Sequence, residues 1–465
     1  MRLTPRRSRE GAGGRWRTRL ERVLLVALAV AYPFHFSYQG PTGGVNVSYG
    51  DAVVALVGVL FLLGAVGRFR VFRYAWAVAA FVGVAVVSVL VNGLVPPVAE
   101  TFSWTPAVAE VLKLLGAVAW MVAIYALCVT DPARRFRDFS LVSVALAVVF
   151  GAWSVSMVLA GAVRHTGPFT MPNVYANYLL LNVFLACYLV GYYGVTGRSP
   201  RARWPRARRW GATLALWTVV PFLAGAMVAT GSRGAAIGLA VGGVALAVTA
   251  LRWLPEVRPW FAGLNAAVFG AYAVGGVYAF MRYQPRVFDR FVRVLDGDAR
   301  NLDSRLENWA IAWDAFTANP LLGLGYGQYP AHMAEVVGGG GIGAHNTYLT
   351  VAAETGIVGL VVLLVLVGLL AVDGLTLVFR ERAFVAVPVF AFVAAAFGQG
   401  LVADVNTFRA LWIGVGALGA FYYASVDRPL DPLSSVFRRW VAVGDPESVV
   451  GRKFRSRVDT SGPSQ

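Results

Sequence analysis

The sequence predicts an all-α polytopic membrane protein of about 12 transmembrane helices, with one large outward-facing helical loop between spans 9 and 10. Only 14% of its 465 residues are charged and 58% are hydrophobic, whereas an average soluble protein has roughly 25% charged residues. Mean hydropathy is +0.63. Apolar stretches recur along the chain, and basic residues fall in alternate gaps between them. These observations exclude a soluble globular domain.

Twelve apolar stretches approach the roughly 20 residues that a membrane span requires. The second and eighth are short. The first follows an arginine-rich start and also fits a secretory signal peptide, but we interpret it as an uncleaved span. The centres of the twelve lie near Val26, Leu60, Val84, Val118, Ala147, Val183, Val220, Val241, Ala271, Val365, Phe390 and Gly416.

The formal charge is +17, and the placement of the basic residues identifies the inner side of the membrane. Alternation from an inside N-terminus places 31 of the 41 basic residues in cytoplasmic segments, as the positive-inside rule requires. The loop from Arg198 to Arg209 therefore fixes orientation and contacts anionic lipid headgroups, and we expect no nucleic-acid partner. We predict that the chain lies in the cytoplasmic (inner) membrane with its active site facing outward.

Five segments follow from this topology. Residues 1–19 form a basic cytoplasmic N-terminus, and residues 20–281 form spans 1–9. Residues 282–356 form a periplasmic or extracellular catalytic loop. Residues 357–425 form spans 10–12, and residues 426–465 form a basic cytoplasmic tail.

The first part of the outer loop predicts an amphipathic helix. Between Arg286 and Arg293, three arginines are spaced by four and three residues, with apolar residues on another face. Such a helix is typical of a membrane interface. Binding of an anionic glycan is the alternative interpretation.

The second part of the loop predicts a helix that begins at Ser304. Ser304 and Glu307 have the spacing of a capping box, and Asn319-Pro320 ends the apolar pattern. Arg305 would then lie in the first turn, where the helix dipole disfavours a cation unless an anion binds there. The predicted apolar stripe of this helix comprises Leu306, Trp309, Ala310, Trp313 and Phe316.

A similar arrangement precedes the eighth span. Ser232 is a candidate helix cap and Arg233 a cation in the first helical turn, on the same outer side. A lone arginine at this depth also fits an interfacial side chain that reaches lipid phosphates. Two such arginines favour an anion site.

The third part of the loop delivers a histidine to the start of the tenth span. Glycines at 338–341 and 343 precede His345, and Glu354 follows nine residues later. Histidine is the side chain best suited to proton transfer near neutral pH. An interfacial capping contact is the alternative interpretation of His345.

Four segments together resemble the O-antigen ligase and O-antigen polymerase family of membrane glycosyltransferases. The resemblance spans roughly Pro172 to Gly416, and the N-terminal spans and the tail carry no matching motif. The matching motifs, in chain order, are Pro172-Asn173-Val174-Tyr175-Ala176; Ser232-Arg233-Gly234; Arg305 with Trp309 leading to Pro320-Leu321-Leu322-Gly323-Leu324-Gly325; and His345-Asn346-Thr347-Tyr348-Leu349 with Glu354-Thr355-Gly356 and Gly359-Leu360.

The resemblance implies transfer of a glycan from a polyprenyl diphosphate carrier to a glycolipid or glycan acceptor, without a metal or other cofactor. Arg233 and Arg305 would hold the diphosphate, and His345 would orient or deprotonate the acceptor hydroxyl. The implied substrate-binding residues are Asn346, Tyr348, Glu354, Asn173, Tyr175, Trp309 and Arg409.

Two alternatives remain open. A polymerase of the same family would share the donor and the catalytic residues, although the motifs favour the ligase slightly. A flippase or transporter for lipid-linked glycans would line its path with charged residues. Intramembrane charges are sparse, because Glu110 and Lys113 are expected to pair and Asp373 is expected to be isolated.

Overall fold

The computed structural model describes residues 12–40, 43–67, 72–95, 102–162, 165–169, 171–194, 206–251, 278, 300–338, 343–381 and 383–426. Several predictions lie outside these residues, namely the ninth span near Ala271, the amphipathic helix from Arg286 to Arg293, most of the glycine tract, and most of both tails.

The described residues form thirteen α-helices. Their bounds are α1 Ala12–Ala31, α2 Tyr49–Leu62, α3 Ala75–Leu94, α4 Trp104–Cys128, α5 Pro132–Leu159, α6 Pro172–Gly194, α7 Arg206–Ala229, α8 Arg233–Leu251, α9 Arg300–Ala318, α10 Tyr329–Val337, α11 Thr347–Leu375, α12 Val387–Gln399 and α13 Arg409–Ser425. A π-helical turn, Thr376–Arg380, continues α11, and a short 3₁₀ segment, Phe384–Ala386, precedes α12.

One β-hairpin corrects the all-α prediction. Strand β1, His35–Gly40, pairs antiparallel with β2, Gly43–Ser48, between α1 and α2. The segment is rich in tyrosine, phenylalanine, valine and serine and contains a Pro-Thr-Gly-Gly turn, which is a recognisable hairpin pattern. It is short and lies between two apolar stretches, so the helical periodicity of its neighbours concealed it.

Five helices are long and apolar enough to cross a membrane: α3, α4, α5, most of α6, and α11 with its π-helical continuation. Shorter apolar helices include α2 and most of α8, which are the second and eighth predicted spans. The chain is therefore a multi-pass membrane protein, and eleven of the twelve predicted span centres fall within helices. A total of 12 spans remains a prediction.

Residues predicted to face the cytoplasm form ion pairs with one another. Glu21 of α1 accepts from Arg135 of α5 at 2.6 Å, and its other oxygen accepts from the Gly67 backbone N–H at 2.9 Å. Asp373 is not isolated, because Arg73 donates to it at 3.0 Å. The sequence pattern missed this pair, since the two residues lie 300 positions apart. The predicted pair of Lys113 with Glu110 is confirmed, at 2.6 Å.

A stripe of small residues lets α8 lie directly against α12. Gly238 and Gly242 continue the i, i+4 spacing that starts at Gly234, and the facing row on α12 is Ala391, Ala395 and Gln399. A methyl group at Gly242 would lie 2.7 Å from the Ala395 Cβ and 2.8 Å from the Ala391 carbonyl oxygen. Small residues at such spacing permit close helix packing in membranes. This interface fixes the N-terminus of α8 beside the C-terminus of α12.

The described part of the predicted catalytic loop has a small core of its own. Ala312 and Ala315 of α9 pack with Tyr329 and Met333 of α10, and with Ala353 of α11. Helix α9 ends at Ala318, directly before Asn319-Pro320 as predicted. Gln328 fastens this subdomain to the start of α4 by two hydrogen bonds with the Ser103 backbone, at 2.8 and 3.1 Å.

The predicted start of α9 is wrong. The helix already includes Arg300, so Ser304 is an internal residue and Arg305 lies beyond the first turn. The predicted stripe is also wrong in part, because Leu306 and Trp313 are 49% and 54% exposed. Packing against α10 and α11 selects instead the face that contains Asn308, Ala312 and Ala315, and tertiary packing overrides the local pattern.

A kink in α11 brings two of the sequence motifs together. Gly356 has φ 64° and ψ −164°, outside the helical region. The carbonyls of Ala353 and Glu354 consequently accept from Leu324 N–H at 2.8 Å and Gly325 N–H at 3.0 Å. A methyl group at Gly356 would lie 2.2 Å from the Leu321 carbonyl oxygen, so this position requires glycine both for its φ and for space.

Candidate functional site

A cavity of about 130 Å³ lies where the start of α8, the end of α12 and the face of α9 meet. By the same measure a single water needs only about 10–15 Å³, so the cavity has room for a small anionic group. Three sequence-predicted residues, Arg233, Arg305 and His345, line it together with Asn173. The remaining lining residues are Gly231, Ser232, Gly234, Gln399, Val402 and Ala403.

The start of α8 places Arg233 in the cavity wall. Gly231 adopts φ 68° and turns the chain, and Ser232 caps the helix by accepting a long hydrogen bond of 3.5 Å from Ala235 N–H. Helix α8 begins at Arg233, as the sequence predicted. The first turn of a helix presents free N–H groups and a partial positive charge. Arg233 adds a full charge to this end.

Arg305 reaches the same cavity from α9. One of its guanidinium nitrogens, Nη1, donates to the Val402 carbonyl at 3.2 Å. Burial, with the nearby Arg233 charge as the second cause, lowers the pKa of the Arg305 guanidinium below its ordinary value. Arginine nevertheless stays charged at neutral pH. Two cations therefore share one cavity, an arrangement that an anion would stabilise.

His345 has an unusual backbone. Its φ of 53° makes it the one non-glycine residue with positive φ in the described ranges, a conformation that histidine adopts more readily than most residues. Trp309 Nε1 donates to the preceding Ala344 carbonyl at 3.1 Å, and Asn346 caps α11 on the other side. The two neighbours fix the backbone, while the His345 side chain stays 41% exposed.

Asp404 lies beside His345, and the sequence reasoning missed it. Its carboxylate accepts from the His345 backbone N–H at 3.1 Å and from the Thr350 hydroxyl at 2.6 Å. The imidazole Nδ1 lies 4.0 Å from the same carboxylate, beyond hydrogen-bond distance. Burial raises the pKa of the Asp404 carboxyl. One signal was available, because Asp404 is the single acidic residue between Glu381 and Asp427.

Gln399 is a second residue that the sequence reasoning missed. It is 1% exposed and lines the cavity from the last position of α12. Its side-chain oxygen has no hydrogen-bond partner within the part of the chain that the structure describes. Its spacing with Ala391 and Ala395 follows the packing stripe of α12, so the sequence pattern alone assigns it to helix packing.

Several other predicted substrate-binding residues bond within the protein instead of lining the cavity. Asn346 accepts from Tyr348 N–H and Leu349 N–H as the cap of α11, and the Tyr348 hydroxyl donates to the Phe397 carbonyl at 3.0 Å. Tyr175 is fully buried and accepts from the Ser154 hydroxyl at 2.9 Å. These contacts position the cavity residues and leave none of the three facing the cavity.

Glu354 also lies apart from His345. Its carboxylate is 4% exposed and accepts from Tyr329 N–H at 3.2 Å, which holds the start of α10 against α11. The carboxylate that lies beside His345 is that of Asp404. Glu354 therefore supports the outer subdomain.

Arg409 belongs to an ion pair outside the cavity. Its Nε donates to Asp51 Oδ1 at 2.8 Å and its Nη2 contacts Asp51 Oδ2. Trp120 Nε1 donates to the same carboxylate at 2.8 Å. The positive charge of Arg409 is thus compensated by α2.

Aromatic side chains of the outer loop could stack on sugars, but most of those that the structure describes pack or bond within the protein. Tyr326 and Tyr329 are 1% and 0% exposed, and Trp309 is bonded to Ala344. Trp313 is 54% exposed, and Tyr283 lies outside the described residues. None of the four described aromatics lines the cavity.

Residues 214–364 match the family described as O-antigen ligase. The chain therefore carries a domain of the O-antigen ligase family. No curated protein matches the chain. The O-antigen ligase domain assigns the chain a role in membrane glycan transfer and contains Arg233, Arg305 and His345. Asn173, Gln399, Val402 and Ala403, which complete the cavity, lie outside the matched segment.

Within the described ranges, no group of three or more histidine, cysteine, aspartate or glutamate residues could hold a metal ion. The two cysteines, Cys128 and Cys187, are both buried and free.

Proposed function

We propose that this cavity transfers a glycan from a polyprenyl diphosphate carrier to an acceptor hydroxyl, in the manner of an O-antigen ligase. The observation that carries the proposal is the meeting of Arg233, Arg305 and His345 in one cavity from three separate sequence segments. We further propose that the chain spans the cytoplasmic membrane 12 times, with the cavity at its outer face. The alternation of basic residues supports this orientation.

Each residue has a defined task in the proposed reaction. The His345 imidazole takes the proton of the acceptor hydroxyl while the hydroxyl oxygen attacks the anomeric carbon of the glycan. The bond from that carbon to the phosphate oxygen breaks, and its electron pair leaves with the diphosphate. Arg233 and Arg305 stabilise the developing negative charge. The proton then passes from the imidazole to water, which restores the enzyme.

Asp404 has a positioning task in this scheme. It holds the His345 backbone N–H, and its carboxylate lies on the Nδ1 side of the imidazole ring. A small rotation of the ring closes that distance to a hydrogen bond, because catalytic contacts often tighten only when substrate is bound. Nε2 would then be the atom that receives the proton.

The pairing of intramembrane charges weighs against a flippase. Glu110 with Lys113 and Arg73 with Asp373 are each paired within the protein, whereas a transport path needs charges that face a substrate. A polymerase of the same family would use the same cavity. The acceptor alone separates the two activities.

Reconstitution tests the proposal. Purified protein in vesicles receives a polyprenyl-diphosphate-linked glycan together with a glycolipid acceptor, and the expected product is the glycan on the acceptor. His345→Ala is expected to lower transfer about 10²–10⁴-fold while the lipid donor still binds. Unchanged transfer in this variant would remove His345 from the mechanism. A ladder of longer lipid-linked glycans, formed without the acceptor, would replace the ligase by the polymerase.

A further inference from the structure

The cavity contains a buried glutamine that the proposed chemistry does not use. Gln399 is 1% exposed, and its side-chain oxygen lacks a hydrogen-bond partner among the described residues. A buried acceptor without a partner is unfavourable and uncommon in folded proteins. Gln399 lines the cavity, so a bound molecule can supply the missing donor once the carboxamide turns toward it.

The position of Gln399 restricts what that molecule is. A methyl group at Gly234 would lie 3.6 Å from both Cγ and Nε2 of Gln399, so the carboxamide lies next to the residue that follows Arg233. Arginine and helix N–H groups donate hydrogen bonds and recognise anions. Phosphate oxygens that carry no proton cannot satisfy the Gln399 oxygen. The ligand therefore needs an anion and, close beside it, an O–H or N–H group.

Resting on the proposed function, we infer that Gln399 recognises the first sugar of the lipid-linked glycan by accepting a hydrogen bond from its hydroxyl or amide N–H. That sugar is attached directly to the diphosphate, so its polar groups lie within a few bonds of the anion. The acceptor hydroxyl is the other possible source, but in the proposed reaction its proton goes to His345. Gln399 is thus a specificity residue that distinguishes a glycosylated carrier from the spent carrier.

The distinction has a functional use. Transfer leaves the polyprenyl diphosphate without its sugar, and this product keeps the whole anionic group that Arg233 and Arg305 bind. A contact that only the sugar makes is lost at that moment. Gln399 therefore contacts the substrate and not the product, so the spent carrier is bound less tightly than the substrate. This favours its release.

Binding of two matched ligands tests the inference in full-length protein held in lipid nanodiscs. The probes are farnesyl diphosphate and farnesyl diphosphate linked to N-acetylglucosamine, measured by calorimetry. The wild type is expected to prefer the sugar-linked probe by about 5- to 100-fold, the range typical of one buried hydrogen bond. Gln399→Met keeps the side-chain length without the carboxamide and is expected to abolish the preference while binding farnesyl diphosphate normally.

Gln328→Met is the matched control. Gln328 is also a buried glutamine, 5% exposed, but its bonds go to Ser103 and not to the cavity. It is expected to lower stability and to keep the preference for the sugar-linked probe. If Gln399→Met fails to fold, Gln399→Leu provides the same test with a smaller apolar side chain.

The outcomes separate the inference from the function on which it rests. Equal binding of the two probes by the wild type, or an unchanged preference in the Gln399 variant, would overturn the inference alone. An unchanged preference with a raised KM for the acceptor would assign the contact to the acceptor and also overturn it. Absence of binding of either probe to the wild type would overturn the proposed function as well.

Discussion

Arg305 and Arg409 carry the same charge at the predicted outer face, yet their surroundings are opposite. Arg409 meets both carboxylate oxygens of Asp51. Arg305 bonds a backbone carbonyl, and the charge that most affects it is a second arginine, Arg233. The first arrangement neutralises charge inside the protein, and the second accumulates it in a cavity.

The difference shows that the position of an arginine in the sequence does not determine its role. A resemblance in sequence implied that both arginines bind substrate. Like charges gathered in a partly buried cavity are unfavourable unless something compensates them, whereas a bidentate pair with a carboxylate is complete without a ligand. From these surroundings we propose that Arg305 binds substrate and that Arg409 stabilises the fold.

The largest expected effect comes from the cavity arginines. Arg233→Lys and Arg305→Lys keep the charge and lose the planar bidentate donor. Transfer should fall about 10²–10³-fold, the effect of removing one group that stabilises charge in the transition state. Protein yield and melting temperature should stay normal. The matched control is Arg134→Lys, an exposed arginine in α5 whose side chain is 57% exposed. Near-normal turnover in both cavity variants would show that Arg233 and Arg305 are ordinary interfacial arginines.

The second prediction concerns the neutralised arginine. Arg409→Met leaves the Asp51 carboxylate without its cationic partner, and it should lower the free energy of unfolding by about 1.5–3 kcal/mol. Transfer per folded molecule should change by only a few-fold. Thermal melting of the purified protein in detergent measures the first, and a transfer assay normalised to folded protein measures the second.

The double variant Asp51→Asn/Arg409→Met sharpens this result. Removing both charges should recover part of the lost stability, because the remaining cost comes from an uncompensated charge. If Arg409→Met melted at the normal temperature but lost transfer, Arg409 would belong to the substrate site, and it would not differ from Arg305 in role.

The smallest expected effect is that of Asp404→Asn, which tests the support of His345. The variant keeps the size of the side chain and removes its negative charge, and transfer should fall about tenfold, as for one hydrogen bond to a charged group. Because burial raises the pKa of Asp404, wild-type transfer should decline on acidification at a higher pH than an ordinary aspartate would produce. The asparagine variant should lack the part of this decline that protonation of Asp404 causes. An identical pH profile in both proteins would confine Asp404 to a structural role.

The sequence predicted the cavity better than it predicted the surroundings of the cavity. Arg233, Arg305, His345 and Asn173 were all named from four motifs, and they meet in one place. Helix starts, turns and charged residues in an apolar chain are local features, so a sequence displays them directly. The α8 start at Arg233 was correct for this reason.

The failures concern contacts between distant segments. Gln399 follows the packing spacing of α12 and Asp404 is a lone acidic residue, and only the fold shows that they lie beside Gly234 and His345. The partner of Asp373 lies 300 residues away. Helix α9 began earlier than Ser304 because a capping box is a local preference that adjoining chain and packing can override. Tyr175 and Glu354 bond within the protein, and their part in substrate binding stays a prediction.

The glycine stripe of α8 makes the geometry of the cavity depend on a distant point. Gly242 lies nine residues from Arg233, about 13 Å along a helix axis, and a methyl group there would lie 2.8 Å from the Ala391 carbonyl oxygen. A bulky side chain at Gly242 would push α8 away from α12 and shift Arg233 relative to Gln399. The width of the cavity therefore depends on packing between α8 and α12. Residues that take no chemical part in the reaction determine how Arg233 and Gln399 are positioned.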